Sequence, residues 1–315
     1  MFMEQIPSLK QMDFCFKKDY YDYYDYYNKL YTKYNVLDFI NFPGANDCLK
    51  NLSKLICYSY INSEFFLQLS KICHNINSLV IRFEITVSVG IKDLIYYQNN
   101  LKSITFNRNR GNIFDYDICF KALTKHSNTI TELFLFGISL PSIFTKIIFL
   151  KLVFSDILIK LLVNNGRNLE ELTVFHCDNN SLNLAIANYC PNLKSLNVDF
   201  PSNEKEKLIM ILVNCQQLES IITSCGGSYL SGKKLLELVA KYSPKNFHEL
   251  NLHNANLDSK VLESFFTSWK NRISQKPFSF IINDNGNGPL NNKKIRKLVK
   301  KYKGLGIIKK FKFSE

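Results

Sequence analysis

The residues best equipped for chemistry in this sequence are nine cysteines and five histidines. Zinc sites and redox pairs place two such residues only a few positions apart, as in C-x-x-C. No C-x-x-C pair occurs here, the number of cysteines is odd, and the histidines show neither ligand spacing nor a Ser or Cys partner pattern. The cysteines are Cys15, Cys48, Cys57, Cys73, Cys119, Cys177, Cys190, Cys215 and Cys225, and the histidines are His74, His126, His176, His248 and His253.

These residues therefore predict no catalytic, metal-binding or cofactor site. Unpaired cysteines commonly behave as small buried hydrophobes, and that is the role predicted for them. A glycine-rich phosphate-binding loop is also missing from the sequence, so the chain is predicted not to be an enzyme.

Positive charge is concentrated at the C-terminus. Residues 293–315 hold ten Lys and Arg side chains against a single acid, Glu315, and contribute +9 of the net charge of +13. One interpretation is electrostatic attraction of RNA, or a nuclear import signal. The alternative is an amphipathic helix with a solvated basic face, ended by Gly304. Its apolar stripe would comprise Ile295, Leu298, Val299 and Tyr302.

No segment has the roughly 20 consecutive apolar residues that a membrane-spanning helix requires. The longest apolar windows, such as residues 133–145, are flanked by charges at Glu132 and Lys146. The N-terminus, MFMEQIPSLK, lacks the basic-then-apolar order of a signal peptide. We therefore expect a cytoplasmic or nuclear protein.

A pattern of apolar residues, L-x-x-L-x-L, recurs along most of the chain. The clearest copies begin at residues 52, 76, 101 and 130, and again at 169, 193, 218 and 247. The steps between neighbouring copies are 24, 25 and 29 residues in both groups. An irregular copy at Ile147, Leu150 and Leu152 lies between the groups, and weaker copies lie at Leu9–Phe14, Phe278–Ile281 and Ile308–Phe313.

Helices are predicted between these strands, because several spacers combine a capping residue with apolar residues at helical spacing. We expect Ser63, Ser231 and Ser259 to cap helices over EFFLQLSKI, KKLLELVAKY and VLESFFTSW. Ser155 or Asp156 is expected to cap a helix over ILIKLLV.

A strand and a returning helix at a period near 25 residues are the signature of a leucine-rich repeat. One such unit cannot bury its own leucines, so neighbouring units bury them for each other. The predicted fold is α/β: a leucine-rich-repeat solenoid (horseshoe) with a concave parallel sheet and convex helices. Residues 1–50 are predicted to form a divergent N-terminal repeat with an Asp/Tyr-rich insertion, and residues 51–315 the solenoid with its basic C-terminal cap.

Two further expectations follow from this repeat. The central leucines of the strands, such as Leu172, Leu196 and Leu250, should be buried. Each helix should end at a buried turn where only a small residue fits. Cys, Ser or Gly stands there in five copies, at Cys73, Ser127, Gly166, Cys190 and Cys215.

Steps of about 25 residues, with Cys shortly before the first Leu, resemble the cysteine-containing repeats of F-box/leucine-rich-repeat proteins, including a divergent kind expanded in fungi. The resemblance covers roughly residues 50–315. It implies a substrate-recognition subunit of a cullin–RING (SCF) ubiquitin ligase, acting in ubiquitin-dependent protein degradation and gripping its target on the concave face. A ligase adaptor would bind only through an F-box, and none is visible. Ile6-Pro7 is a poor match because the following LKQMDF already has the pattern of a repeat strand.

Two other interpretations remain open. The chain could be a free-standing repeat scaffold outside the ubiquitin system. Ranked third is a nucleic-acid binder that uses the basic C-terminus.

Alternation along the strands predicts a partner-binding patch. With the pattern extended to L-x-x-L-x-L-x-x, its third, fifth and seventh positions face away from the core, on the concave side. Near the middle of the chain these positions are apolar, whereas the flanking copies are polar there. The predicted patch comprises Phe134, Phe136, Phe149, Val153 and Phe175. The alternative is a shifted register in the irregular copy at Ile147, which would bury some of these rings.

Overall fold

The computed structural model describes residues 8–14, 38–83, 87–108, 117–136, 156, 158–174, 180–272, 276–283 and 293–314. The chain divides into two compact units, Met1–Gly137 (unit 1) and Ile138–Glu315 (unit 2). The Asp/Tyr-rich insertion and the irregular copy at Ile147 lie outside the described residues. The division predicted at residue 50 stays a prediction.

The described strands of unit 1 are parallel and pair in chain order. They are β1 (Gln11–Asp13), β2 (Lys54–Tyr58), β3 (Ser78–Phe83), β4 (Ser103–Arg108) and β5 (Glu132–Phe136). The α-helices are α1 (Ala45–Leu49), α2 (Ser63–Ile72), α3 (Gly90–Tyr96) and α4 (Asp117–Leu123), with 3-10 turns at Asp38–Asn41 and Thr124–His126. Neighbouring helices from α2 to α4 pack side by side.

Unit 2 repeats this arrangement. Its described strands are β6 (Glu171–Val174), β7 (Ser195–Val198), β8 (Ser220–Ser224), β9 (Glu249–His253), β10 (Phe278–Asn283) and β11 (Ile308–Ser314), again parallel and paired in chain order. The helices are α5 (158–165), α6 (Asn180–Tyr189), α7 (Lys205–Asn214), α8 (Gly232–Tyr242), α9 (Ser259–Lys270) and α10 (Lys293–Gly304), with a 3-10 turn at Gly166–Asn168.

In unit 1 one row of the sheet carries the central apolar residue of each strand from β2 to β5, and in unit 2 one row carries that of each strand from β6 to β10. In unit 1 the row is Leu55, Leu79, Ile104 and Leu133. In unit 2 it is Leu172, Leu196, Ile221, Leu250 and Phe280. Each of these side chains is at most 1% exposed, and fully burying one contributes roughly 1.5–3 kcal/mol. The repeat register and the predicted burial of Leu172, Leu196 and Leu250 are confirmed.

The helix starts confirm one predicted cap and correct two. Ser231 accepts the hydrogen bond of the Lys234 amide, as predicted. The helix predicted to be capped by Ser63 is capped by Asn62 instead, because Ser63 is already its first residue. Likewise Asp258, not Ser259, caps α9. Asn and Asp are at least as good as Ser at this position. The cap predicted at Ser155 or Asp156 is not shown, since Ser155 and residue 157 lie outside the described residues.

The basic segment forms the amphipathic helix α10. Ile295, Leu298 and Tyr302 are buried, and the helix ends at Gly304 as predicted. The glycine with the left-handed backbone is Gly306, whose φ is 71°. The amides of Gly306 and Ile307 donate to the carbonyls of Lys303 and Tyr302, which is the Schellman pattern of helix termination.

The helices are short compared with the thickness of a bilayer. Within the described ranges, none is both long and apolar enough to cross a membrane.

Candidate interaction surface

The outward face of unit 1 is the face of β2–β5 whose side chains alternate with the buried row. It has three rows set by the parallel pairing. The first row holds Lys54, Ser78, Ser103 and Glu132. The middle row holds Ile56, Val80, Thr105 and Phe134. The third row holds Tyr58, Arg82, Asn107 and Phe136. All of these residues are partly buried, so the face is neither sealed nor fully exposed.

Phe134 and Phe136 lie at one side of this face, on β5. They alternate with Leu133 and Leu135, which are both 0% exposed. The two phenyl rings are nearly parallel, with centroids 6.4 Å apart and an angle of 7° between their planes. Phe149, Val153 and Phe175, the other members of the predicted patch, lie outside the described residues, so the five-residue patch stays a prediction.

Tyr58 and Arg82 lie at the other side of the outward face, on β2 and β3. The Arg82 guanidinium carbon is 5.9 Å from the centre of the Tyr58 ring. Tyr58 also stacks on Tyr60, with ring centroids 5.1 Å apart. A cation–π contact contributes roughly 0.5–1 kcal/mol at exposed sites, so these side chains hold one another in position.

The sequence-based prediction missed this second group, because it considered only the copies nearest the centre of the chain. The same alternation applied to NLSKLICY and INSLVIRF would have placed Ile56, Tyr58, Val80 and Arg82 on the outward face. Thr105 and Asn107, predicted as a polar flank, lie between the two groups on β4.

The corresponding face of unit 2 is more polar, and its polar side chains form hydrogen bonds within that face. Ser220 Oγ donates to Ser195 Oγ at 3.0 Å, and the Ser224 amide donates to Asp199 Oδ1 at 2.8 Å. Asn283 Nδ2 donates to Asn251 Oδ1 at 2.9 Å. Side chains that already satisfy each other offer less to a partner, which is why the outward face of unit 1 is the stronger candidate.

The cysteines at the helix ends are buried in turns, as predicted. Cys73 and Cys215 donate their thiols to the carbonyl oxygens of Leu49 and Cys190 in the preceding repeat, each at 3.2 Å. Burial raises the pKa of Cys73 and Cys215 to about 12 and also raises that of Cys190. Protonated thiols are poor nucleophiles and poor metal ligands. Cys15 and Cys177 lie outside the described residues.

The predicted need for a small residue is clearest at Gly166. A Cβ atom there would lie 2.5 Å from the Tyr189 carbonyl oxygen and 2.9 Å from the Cys190 sulfur. Within the described ranges, no three His, Cys, Asp or Glu side chains are grouped so that they could hold a metal ion.

Larger polar side chains replace cysteine at other helix ends. Gln98 Nε2 donates to the Cys73 carbonyl at 2.9 Å, and His126 Nε2 lies 2.7 Å from the Ile95 carbonyl oxygen, to which it donates. Burial lowers the pKa of His126, which keeps the ring neutral. Arg272 donates to the Ser243 carbonyl and hydroxyl and to the Val239 carbonyl. These polar groups therefore join repeats rather than form a reactive site.

Comparisons with known proteins agree with this geometry at the level of the fold. No known family profile matches the chain, and no curated protein matches it. Among solved structures, the chain is similar to the crystal structure of the leucine-rich repeat-containing protein LegL7 from Legionella pneumophila. The TM-score is 0.50 at 17% sequence identity, over 94% of this chain and 90% of that one. The fold is an α/β leucine-rich-repeat solenoid. At this identity the likeness shows the fold alone.

Proposed function

We propose that this protein is a non-catalytic protein-interaction module that binds a partner protein on the outward face of unit 1. The observation that carries this proposal is the middle row of that face, where Ile56, Val80 and Phe134 stand in register on β2, β3 and β5. In a sheet with a solvated face, such positions are commonly polar.

The composition of the face fits a protein partner. Protein–protein hot spots are enriched in Trp, Tyr and Arg, surrounded by residues that exclude water. Tyr58 and Arg82 supply such anchors on one side, and Phe134 and Phe136 supply further aromatic surface on the other. Neighbouring strands lie about 4.8 Å apart, so β2 to β5 span roughly 14 Å, enough for several partner side chains.

Rigidity favours binding at this face. Its side chains stand on paired strands and, in the case of Tyr58, are held by neighbouring groups. Binding therefore orders few side chains, and that lowers the entropic cost of association. Thr105 and Asn107 add hydrogen-bonding groups between the two apolar sides, which supports specificity.

The narrower role is substrate recognition for an SCF-type ubiquitin ligase. The repeat steps of 24 and 25 residues, and the thiols at the ends of the helices, support it. Such a role requires an F-box, which an in-frame helical module upstream of Met1 would supply. Co-purification of the natural protein with a cullin and its adaptor, together with accumulation of the partner when the proteasome is inhibited, tests this role. A partner whose level is the same with and without proteasome inhibition would favour the free-standing scaffold.

The central experiment compares proteins captured by the wild type and by surface variants, quantified by mass spectrometry. Tyr58→Ala combined with Phe134→Ala should abolish capture of a specific partner. Phe42→Ala is the matched control, because Phe42 is 53% exposed in the same unit but is not on the outward face. Direct titration with the purified partner should then show at least tenfold weaker binding for the double variant than for the wild type. The Phe42→Ala control should bind like the wild type. Equal losses for the control, or unchanged binding by the double variant, would refute the proposal.

A further inference from the structure

The solvent-facing side of α10 is basic along its whole length. Between Lys293 and Lys303, the exposed side chains of this helix are Lys293, Lys294, Arg296, Lys297, Lys300, Lys301 and Lys303. The sequence of residues 293–314 contains no Asp or Glu. Surface helices of soluble proteins usually mix charges of both signs, so this face carries an unusual local density of positive charge.

The helix is fixed in place by its other side. Ile295 and Leu298 are buried, and the Tyr302 ring lies 5.2 Å from that of Phe266. The Tyr302 hydroxyl also hydrogen-bonds Thr267 Oγ1 at 2.8 Å. Because the apolar stripe is used in the core, it is not available to enter a lipid bilayer, and the lysines are presented from a rigid element.

Within the described residues, Lys293, Lys297, Lys300 and Lys303 form no ion pair, and Lys301 forms a weak one. Lys301 lies 3.5 Å from Glu263 on α9, but both side chains are more than half exposed. A pair between two exposed side chains is weak and is screened by salt. The adjacent strand β11 adds Lys309, Lys310 and Lys312, all exposed.

We propose that the basic face of α10 binds the phosphodiester backbone of a nucleic-acid duplex without sequence preference. A duplex carries one negative charge per roughly 1.7 Å of axis, and neutralising its phosphates releases counterions. Lys293, Lys297 and Lys300 lie on one side of the helix, over roughly 10 Å at 1.5 Å per residue. Their three ammonium groups can therefore contact successive phosphates along one strand of the duplex.

Two features favour a duplex over other anionic partners. Protein interfaces are depleted in lysine and depend on aromatic or apolar anchors. The exposed side chains of α10 between Lys293 and Lys303 are all lysine or arginine and provide no such anchor. Single-stranded nucleic acid is held by bases stacked on aromatic rings. In the described part of this cap, however, Tyr302 is buried, Phe311 packs against Phe266 and Phe280, and the partly exposed Phe313 packs against Phe311.

The test is fluorescence anisotropy with labelled duplex DNA and duplex RNA of about two helical turns, across about 50–200 mM salt. The binding variant is the triple substitution Lys293→Gln, Lys297→Gln, Lys300→Gln. The matched control removes the same charge from exposed lysines elsewhere in unit 2, by Lys160→Gln, Lys233→Gln and Lys245→Gln.

The binding variant should bind at least tenfold more weakly than the wild type, and its salt dependence should be shallower by about one unit of slope per lysine removed. The control should stay within about twofold, and a triple Lys→Arg version of α10 should bind like the wild type. Equal losses in control and variant would mean that net charge, not this face, governs binding. Displacement of the duplex by polyglutamate of equal charge would point to an acidic protein partner. Either outcome overturns the proposal.

Discussion

The thiol of Cys215 donates a hydrogen bond to the main-chain carbonyl oxygen of Cys190, 25 residues earlier in the chain. This bond joins the ends of two consecutive helices in a buried turn. Cys73 makes the same bond to Leu49 in unit 1, and Gln98 then bonds the carbonyl of Cys73. A residue type often associated with reactivity thus fills a stacking position, where its small size and weak donor are the useful properties.

Removing this donor should destabilise the protein. Cys215→Ala removes the thiol donor to the Cys190 carbonyl, which keeps only the longer bond of 3.4 Å from the Leu193 amide. The free energy of unfolding should fall by about 0.5–1.5 kcal/mol. Urea denaturation measures the change. Cys48→Ala is a control, because Cys48 is also fully buried but its thiol makes no hydrogen bond in the described structure. A loss no larger than that of the control would show that the thiol acts by packing alone.

The elevated thiol pKa values predict a stability loss at alkaline pH. Unfolded thiols ionise near pH 9, whereas Cys73 and Cys215 in the folded state have a pKa of about 12. Stability from these groups is therefore complete below about pH 9 and is lost as the pH rises toward 12, since only the unfolded state releases the proton. The combined Cys73→Ala, Cys215→Ala variant should show a flatter decline between pH 8 and pH 10 in urea midpoints. Parallel curves would contradict the assignment.

His126 predicts the opposite dependence at acidic pH. Its pKa lies below the usual 6.5, chiefly because of burial. Stability from the neutral ring is present above about pH 6.5 and is lost as the pH falls, because the unfolded state binds the additional proton. His126→Gln should reduce the loss of stability between pH 7 and pH 5. Urea denaturation at pH 7 and at pH 5 measures this loss, and an equal loss in the variant and the wild type would contradict the role of His126.

The outward face can be tested on two adjacent residues of β5. Leu135 is 0% exposed, and Leu135→Ala should cost about 2–5 kcal/mol of unfolding free energy. Phe136 is partly exposed on the opposite face, and Phe136→Ala should cost less than about half as much while weakening partner binding by about 1 kcal/mol or more. Thermal or urea melts separate the two effects. Similar stability losses for both variants would mean that Phe136 belongs to the core.

Arg272 is expected to be the most costly polar residue to remove. Its guanidinium bonds the carbonyls of Val239 and Ser243 at the end of α8 and lies 4.5 Å from the centre of the Trp269 ring. Arg272→Leu should destabilise the protein by about 1.5–3 kcal/mol, because the Ser243 carbonyl and hydroxyl lose a charged donor together. The Val239 carbonyl keeps the amide and hydroxyl of Ser243 as donors. Lys276→Leu, at an exposed position nearby in the sequence, should change stability by less than about 0.5 kcal/mol in the same assay.

The repeat was readable from sequence because it is local and repeated. The apolar pattern within each copy indicates which of its residues are buried. The burial of Leu172, Leu196 and Leu250 could therefore be predicted without knowing which residues pack against them. The helix caps were less certain, since the boundaries of helices vary by a residue. Asn62 and Asp258 replaced the predicted Ser63 and Ser259 for that reason.

The amino-acid sequence by itself determined the strand register, the small residues at the helix ends and the amphipathic α10. Tertiary structure alone decided which side chains meet across repeats. The bonds of Gln98 to Cys73 and of Arg272 to Ser243 join residues 25 and 29 positions apart. The contact between Tyr58 and Arg82 likewise joins residues on neighbouring strands. Such contacts depend on how one repeat stacks on the next, and a periodic pattern specifies that a neighbour exists but not which atoms it presents.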